Sequence, residues 1–187
     1  MDILGVDVFE AVVVAVWAML PAYVPNNVAV VAGGGTPIDG GRTWNGKRIL
    51  GDGKTWRGTI AGVAAGALLA LGLNAINGPN ASIFGARLPD PFPAAVMVAM
   101  PLGAMLGDMA ASFLKRRTGR QRGAAFPGVD QLDFVVMALL LTSLAAPGWT
   151  LETFSLPVLT VVVIVTPFLH LVTNMAAYML GLKNEPW

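Results

Sequence analysis

Apolar residues in this chain come in long blocks divided by short polar segments. Ala11 to Ile38, Gly58 to Ala86, Pro91 to Gly107, Phe134 to Leu151 and Thr153 to Leu182 contain no Asp, Glu, Lys or Arg. A bilayer core of about 30 Å needs roughly 20 apolar residues in a helix, and each block reaches or approaches that length. The pattern predicts an all-α integral membrane protein with five transmembrane helices, and residues 1–187 form one membrane-embedded domain with no visible internal repeat.

Two blocks carry finer structure. Pro21, Pro25, Asn26 and Asn27 interrupt the first before Val28 to Ala32 resume it, a pattern that predicts a broken helix whose asparagines face a polar cavity. Gly58, Gly62 and Gly66 recur at every fourth residue, and Gly103 and Gly107 repeat that spacing in the third block. Such stripes let another helix approach closely. Packing inside the monomer is the plainer use, and an oligomer seam is the alternative.

Charge then orients the bundle. Ten of the twelve Lys and Arg residues fall in Arg42 to Arg57 and Lys115 to Arg122. Placing the first and third connections in the cytoplasm puts eleven of the twelve basic residues there, counting Lys183, and leaves Arg87 outside. The amino terminus, with Asp2, Asp7 and Glu10, is then external, and the first block is expected to be a retained span and not a cleaved signal. The expected location is the cell membrane, multi-pass, with two catalytic segments facing the cytoplasm.

Composition narrows the chemistry. Hydrophobic residues make up 55% of the chain and charged residues 12%. The absence of cysteine excludes disulfides, thiolate nucleophiles and thiolate-bound metals. A net charge of +1, with its basic residues explained by topology, does not point to nucleic acid.

The first polar segment runs from Gly33 through Asp39, Gly40 and Gly41 to GDGKTWRG, Gly51 to Gly58. Glycines allow close backbone approach, and Lys54, Thr55 and Arg57 supply donors suited to phosphate oxygens. A P-loop would need glycine where Arg48 stands, and no strand precedes it. In the second segment Asp108, Ser112 and Lys115 stand at helical spacing on one stripe, and Asp130 and Asp133 share a face at the start of the fourth block. Asp108, Asp130 and Asp133 suit Mg²⁺, a hard cation that often shares its shell with substrate phosphates. Lys115, Arg116, Arg117, Arg120 and Arg122 could neutralise a triphosphate, or they could simply pair with the aspartates. In the last block His170, Thr173, Asn174 and Tyr178 lie on one helical face and suggest a cavity wall. Metal ligation by His170 is not favoured beside so many carboxylates.

These residues carry a family resemblance. GDMAASFLKRR, Gly107 to Arg117, followed by PGVDQLD, Pro127 to Asp133, resembles the signature of CTP-dependent phosphatidate cytidylyltransferases, which includes S-x-x-K-R and then P-G and D-R-x-D. GDGKTWRG is similar to their K-T-W-E-G element. Arg57 stands in place of its glutamate, Gln131 in place of the arginine, and the His-Gly-Gly that follows Pro-Gly is missing. PAYVPNNVAVVAGGGTPIDGGRTWNGKRILGDGKTWRG, the GDMAAS and DQLD elements and HLVTNMAAYMLGLKNEPW look like the shorter CDP-archaeol synthases of archaea, in order along most of the chain.

That resemblance implies transfer of CMP from CTP to an isoprenoid ether-lipid phosphate, 2,3-bis-O-(geranylgeranyl)-sn-glycerol 1-phosphate, with release of pyrophosphate. Catalytic roles would fall on Asp108, Lys115, Asp130 and Asp133, with the three aspartates also holding Mg²⁺. Asn26, Asn27, Lys54, Thr55, Arg57, Ser112, Arg116, His170 and Asn174 would bind substrates, and membrane lipids would surround the bundle. A synthase acting on ester-linked phosphatidate, an anion transporter and a non-catalytic lipid-binding protein are the alternatives. The transporter reading fits less well, because the charges gather at one membrane face and no repeated halves are visible.

Overall fold

The computed structural model describes residues 2–3, 6–78, 80–120 and 128–182. Arg122, Pro127 and Lys183 lie outside the described residues. Six helices account for most of the described chain: α1 (Val8–Ala32), α2 (Trp56–Ile76), α3 (Ala94–Arg117), α4 (Val129–Ala145), α5 (Pro147–Thr153) and α6 (Leu156–Met179). The only strands among the described residues are two-residue hairpin pairs, such as Thr43–Trp44 with Lys47–Arg48 and Ser82–Ile83 with Ala86–Arg87. Four of the helices, α1, α2, α3 and α6, are long and apolar enough to cross a membrane.

The fourth apolar block departs from the single span expected of Phe134 to Leu151. It divides into α4, 17 residues long, and the short α5. Ala146 between them has φ −150° and ψ 71°. It precedes Pro147, whose ring disfavours helical backbone in the residue before it.

The first block departs in the opposite direction. Despite Pro21 and Pro25, α1 is continuous for 25 residues, from a cap in which the Asp7 carboxylate accepts from Phe9 N at 2.8 Å. Proline at position 25 cannot donate to the Pro21 carbonyl, and that carbonyl faces Gly66 of α2. A side chain on Gly66 would come within 2.6 Å of it, and one on Gly62 within 2.6 Å of the Pro25 carbonyl. Gly58 meets the Ala29 carbonyl in the same antiparallel register. The glycine stripe of α2 is therefore a seam inside the monomer, laid against the backbone of α1.

Gly103 and Gly107 of α3 form the matching seam against α4, meeting Met137 and Ala138, then Asp133 and Phe134. Alternation of directions brings the C-terminal ends of α1, α3 and α6 to the same pole as the N-terminal ends of α2 and α4. Ala11, Ala15, Ala18 and Ala22 of α1 join Val96, Met100 and Ala104 of α3 and Val162 of α6 in one buried core. Leu68, Leu71, Val136, Leu140, Leu144, Ile164 and Phe168 remain exposed around it, a belt suited to lipid contact.

At the opposite pole Asn74 substitutes for a backbone ladder. Its side chain donates to the Phe92 carbonyl and accepts from the Phe92 N–H, both at 2.8 Å, tying α2 to the segment that enters α3. Phe92 in turn packs on Trp149, which packs on Phe154. Replacement Asn74→Ala strands both backbone groups and is expected to lower unfolding stability by about 1–3 kcal/mol. Denaturation in detergent measures it, with Glu152→Ala, at an exposed position of α5, as the control.

Candidate active site

A cavity of about 510 Å³ opens where α1, α2, α3, α4 and α6 meet at the polar pole. That volume lies in the range of small-molecule sites, roughly 300–1,000 Å³. Its wall includes nine of the thirteen residues expected from sequence: Asn26, Asn27, Lys54, Thr55, Asp108, Asp130, Asp133, His170 and Asn174. Ser112, Arg57, Lys115 and Arg116 are not part of that wall.

Ion pairs organise the charged side. Lys54 Nζ is bonded to Asp108, joining the loop before α2 to α3. Lys115 Nζ sits 2.7 Å from Asp130, joining α3 to α4, so Lys115 reaches the cavity through its partner. Both pairs are largely withdrawn from solvent. Asp133 accepts from Phe134 N at 2.5 Å. The three carboxylates share one wall, but no three metal-ligating side chains form a closed cluster among the described residues.

Thr55 is the N-cap of α2, its hydroxyl accepting from Gly58 N at 3.2 Å. The helix thus begins at the cavity wall, where Gly53, Lys54, Gly58 and Thr59 also lie. A helix N-terminus presents unsatisfied N–H groups and partial positive charge, which favour phosphate. Arg57, expected to bind phosphate, instead donates to the carbonyls of Ala32 and Gly33 at the end of α1.

On the α6 part of the wall Asn174 bonds the His170 ring at 3.1 Å. Tyr23 of α1 and Thr166 of α6 share a hydroxyl–hydroxyl bond of 2.9 Å, and Asn27 donates to the Tyr23 carbonyl at 3.0 Å. Asn26 Oδ1 is buried without a partner among the described residues, an acceptor held at the cavity. Val16, Leu20, Val24 and Leu169 continue the wall as an apolar surface. The site therefore has a cationic and carboxylate end beside a hydrophobic one.

Tyr23 and Thr166 are cavity residues beyond those expected from the sequence. Tyr23 stands at helical spacing from Asn26 and Asn27, which was a legible signal; Thr166 offered none. Asp39, one of the carboxylates that accompany the first basic segment, shapes the site without lining the cavity. Its carboxylate accepts from Gly41, Leu50 and Gly51 N–H groups at 3.1, 3.0 and 2.9 Å and from Arg48 at 2.7 Å, while Arg48 also reaches Asp52 at 2.6 Å. The Asp-Gly-Gly run was the signal, since Asp before glycines favours such turns. Asp39 thereby shapes the loop that delivers Lys54.

Arg48 first, then the backbone donors, hold the Asp39 carboxyl well below the usual carboxylate range against the opposing effect of burial. A depressed pKa contributes stability that is complete above the unfolded value of about 3.9 and is lost as pH falls through the folded one. Protection of the Leu50 and Gly51 amides against hydrogen exchange is expected to persist at neutral pH and to decline only below about pH 3.9. Asp39→Asn should lower that protection by about tenfold or more at pH 7.

Comparison with known proteins agrees with this architecture. The family model described as CarS-like, CDP-archaeol synthase, matches residues 8–187. A CDP-archaeol synthase of Halobacterium salinarum is 66% identical over 181 residues, covering 97% of this chain and 99% of its own length. One from Natronomonas pharaonis is 61% identical, covering 96% of this chain and 100% of its own length. A solved structure of an intramembrane enzyme for archaeal membrane lipids biosynthesis is similar with a TM-score of 0.71 and 37% identity, over 86% of this chain and 92% of that one. This chain belongs to the CDP-archaeol synthase family.

Proposed function

We propose that this protein transfers the CMP group of CTP to an isoprenoid ether-lipid phosphate, giving CDP-archaeol and pyrophosphate. The observation that carries the reading is one cavity in which Lys54–Asp108, Lys115–Asp130, Asp133 and the start of α2 adjoin an apolar wall. Phosphate chemistry and a lipid substrate are both served by that arrangement.

In the reaction a phosphate oxygen of the lipid attacks the α-phosphorus of CTP in line. The bond from that phosphorus to the bridging oxygen breaks, and pyrophosphate leaves. No protein nucleophile is required, so the chain contributes position and charge. Lys54, on the wall, neutralises phosphate oxygens, Lys115 acts there through Asp130, and the α2 N-terminus orients the phosphates with Thr55 as its cap. Asn26, Asn27, His170 and Asn174 form the polar rim at the lipid headgroup, and the isoprenoid chains run along the apolar wall.

Oxygen donors on one wall fit Mg²⁺, which is commonly held by one or two carboxylates together with substrate phosphates, so a closed protein cluster is not needed. Asp108, Asp130 and Asp133 would hold it, and when bound it would supply neutralisation of the phosphate charge.

In the membrane α4 is the fifth span, the amino terminus is external and the polar pole faces the cytoplasm. Support comes from the eleven basic residues that this orientation places inside.

Purified protein, labelled CTP and geranylgeranyl ether lipid phosphate with Mg²⁺ test the function. Label is expected in a lipid product. Folded protein that yields none across several lipid phosphates would overturn the assignment.

A further inference from the structure

We infer that Arg117 is a positioning residue that docks the Lys54-bearing loop onto α3. In the sequence it is one more cation of a basic run at the end of that helix. In the structure its guanidinium donates to the Trp44 carbonyl at 2.7 Å, the Arg48 carbonyl at 2.8 Å and the Lys47 carbonyl at 3.1 Å. It also lies 5.4 Å from the Trp44 ring centre and 5.3 Å from that of Phe113. Its two terminal nitrogens donate to the backbone of the hairpin formed by Thr43–Trp44 and Lys47–Arg48, while Nε has no partner among the described residues.

The connections form a circuit. Arg117 holds the Arg48 carbonyl, the Arg48 side chain holds Asp39, and Asp39 holds the N–H groups of Leu50 and Gly51. Three residues after Gly51, Lys54 returns to α3 at Asp108. The loop is thus pinned to one rigid helix at two points nine residues apart, about 13 Å along the axis at 1.5 Å per residue. Arg116 packs on Gly51 between them, 3.4 Å from where a side chain there would begin. A planar fork can satisfy three carbonyls while stacked on rings, and a lysine ammonium cannot, so Arg117→Lys keeps the charge and removes the docking.

The test uses the absence of cysteine. Thr43→Cys in the hairpin and Ser82→Cys at the opposite pole, both exposed, accept spin labels in the full-length protein. The distance distribution between them, measured by pulsed electron resonance without substrate, reports the order of the loop. Arg117→Lys is expected to broaden it, to leave Tm unchanged and to lower kcat/KM for cytidylyl transfer by about tenfold or more, the scale of a displaced binding group.

Loss of rate with a narrow distribution would overturn the inference, because Arg117 would then act on substrate directly. A broad distribution with the rate within twofold of the parent would overturn it as well. If Arg117→Lys does not fold, Phe113→Leu removes one ring face and leaves the guanidinium; it should broaden the distribution, and an unchanged one would count against docking. Only the kinetic arm rests on the proposed cytidylyl transfer. If the parent itself transfers nothing, that proposal fails while the distance measurement still decides the docking.

Discussion

Asp133→Asn is expected to abolish Mg²⁺-dependent CMP transfer to the ether-lipid phosphate, with a loss of roughly 10³-fold or more for a residue that neutralises charge at the reacting phosphates. Three aspartates share the cavity wall, yet their situations differ. Asp108 is bonded to Lys54 and Asp130 to Lys115, whereas Asp133 has no lysine partner among the described residues. Its carboxyl group is therefore the one of the three not already bonded to an ammonium, which makes it the strongest candidate for a cation ligand. The amide is nearly isosteric with the acid and can still accept from Phe134 N, so the fold should survive. Parent-like melting with no lipid product is the expected pair of results. A variant that retains more than a tenth of the parent rate would remove Asp133 from the catalytic site.

Gly107→Val is expected to yield no folded protein, and Gly107→Ala to lose about 1–3 kcal/mol or more together with activity. A side chain at this position would collide with the Asp133 carbonyl and come within 2.7 Å of Phe134 Cα. These are backbone atoms of a facing helix, so no rotamer change relieves the contact. Alanine normally gains about 1 kcal/mol over glycine inside a helix, and here the clash exceeds that gain. Relief requires α3 and α4 to separate, which shifts Asp133 relative to Asp108. Gly72→Ala in α2, where nothing lies within 4 Å, provides the control and should be neutral or stabilising. Thermal unfolding in detergent measures all three variants. If Gly107→Ala melts like the parent, the seam is looser than its geometry indicates.

Gly107 also joins the fold to the site. The same four-residue spacing that brings α3 against α4 sets Asp108 beside the start of α4, where Asp130 and Asp133 project. The corresponding stripe on α2 seats that helix on α1 and fixes Thr55 and Lys54 on the wall of the cavity that Asn26 also lines. Two backbone seams thus set the cavity, and the ion pairs bridge the elements that the seams bring together.

Much of this was written in the one-dimensional pattern. Four of the five uncharged blocks correspond to helices long and apolar enough to cross a membrane, because burying an unpaired charge in hydrocarbon is costly, and stripes of small residues marked the close contacts. Helical spacing placed Asp130 with Asp133 and His170 with Asn174, since side chains three or four apart share a face. Tertiary structure decided where spacing had no authority. Pro21 and Pro25 stayed within a continuous α1 because the glycines of α2 accommodate its exposed carbonyls, and the fourth block parted at Ala146 because Pro147 restrains it. Arg57 and Arg117, which read as phosphate ligands from their charge, are bonded to backbone carbonyls by geometry available only once distant segments meet. Residue type and periodicity are local properties, legible along the chain; the partner of a long cation is set by whichever acceptor folding brings within its reach.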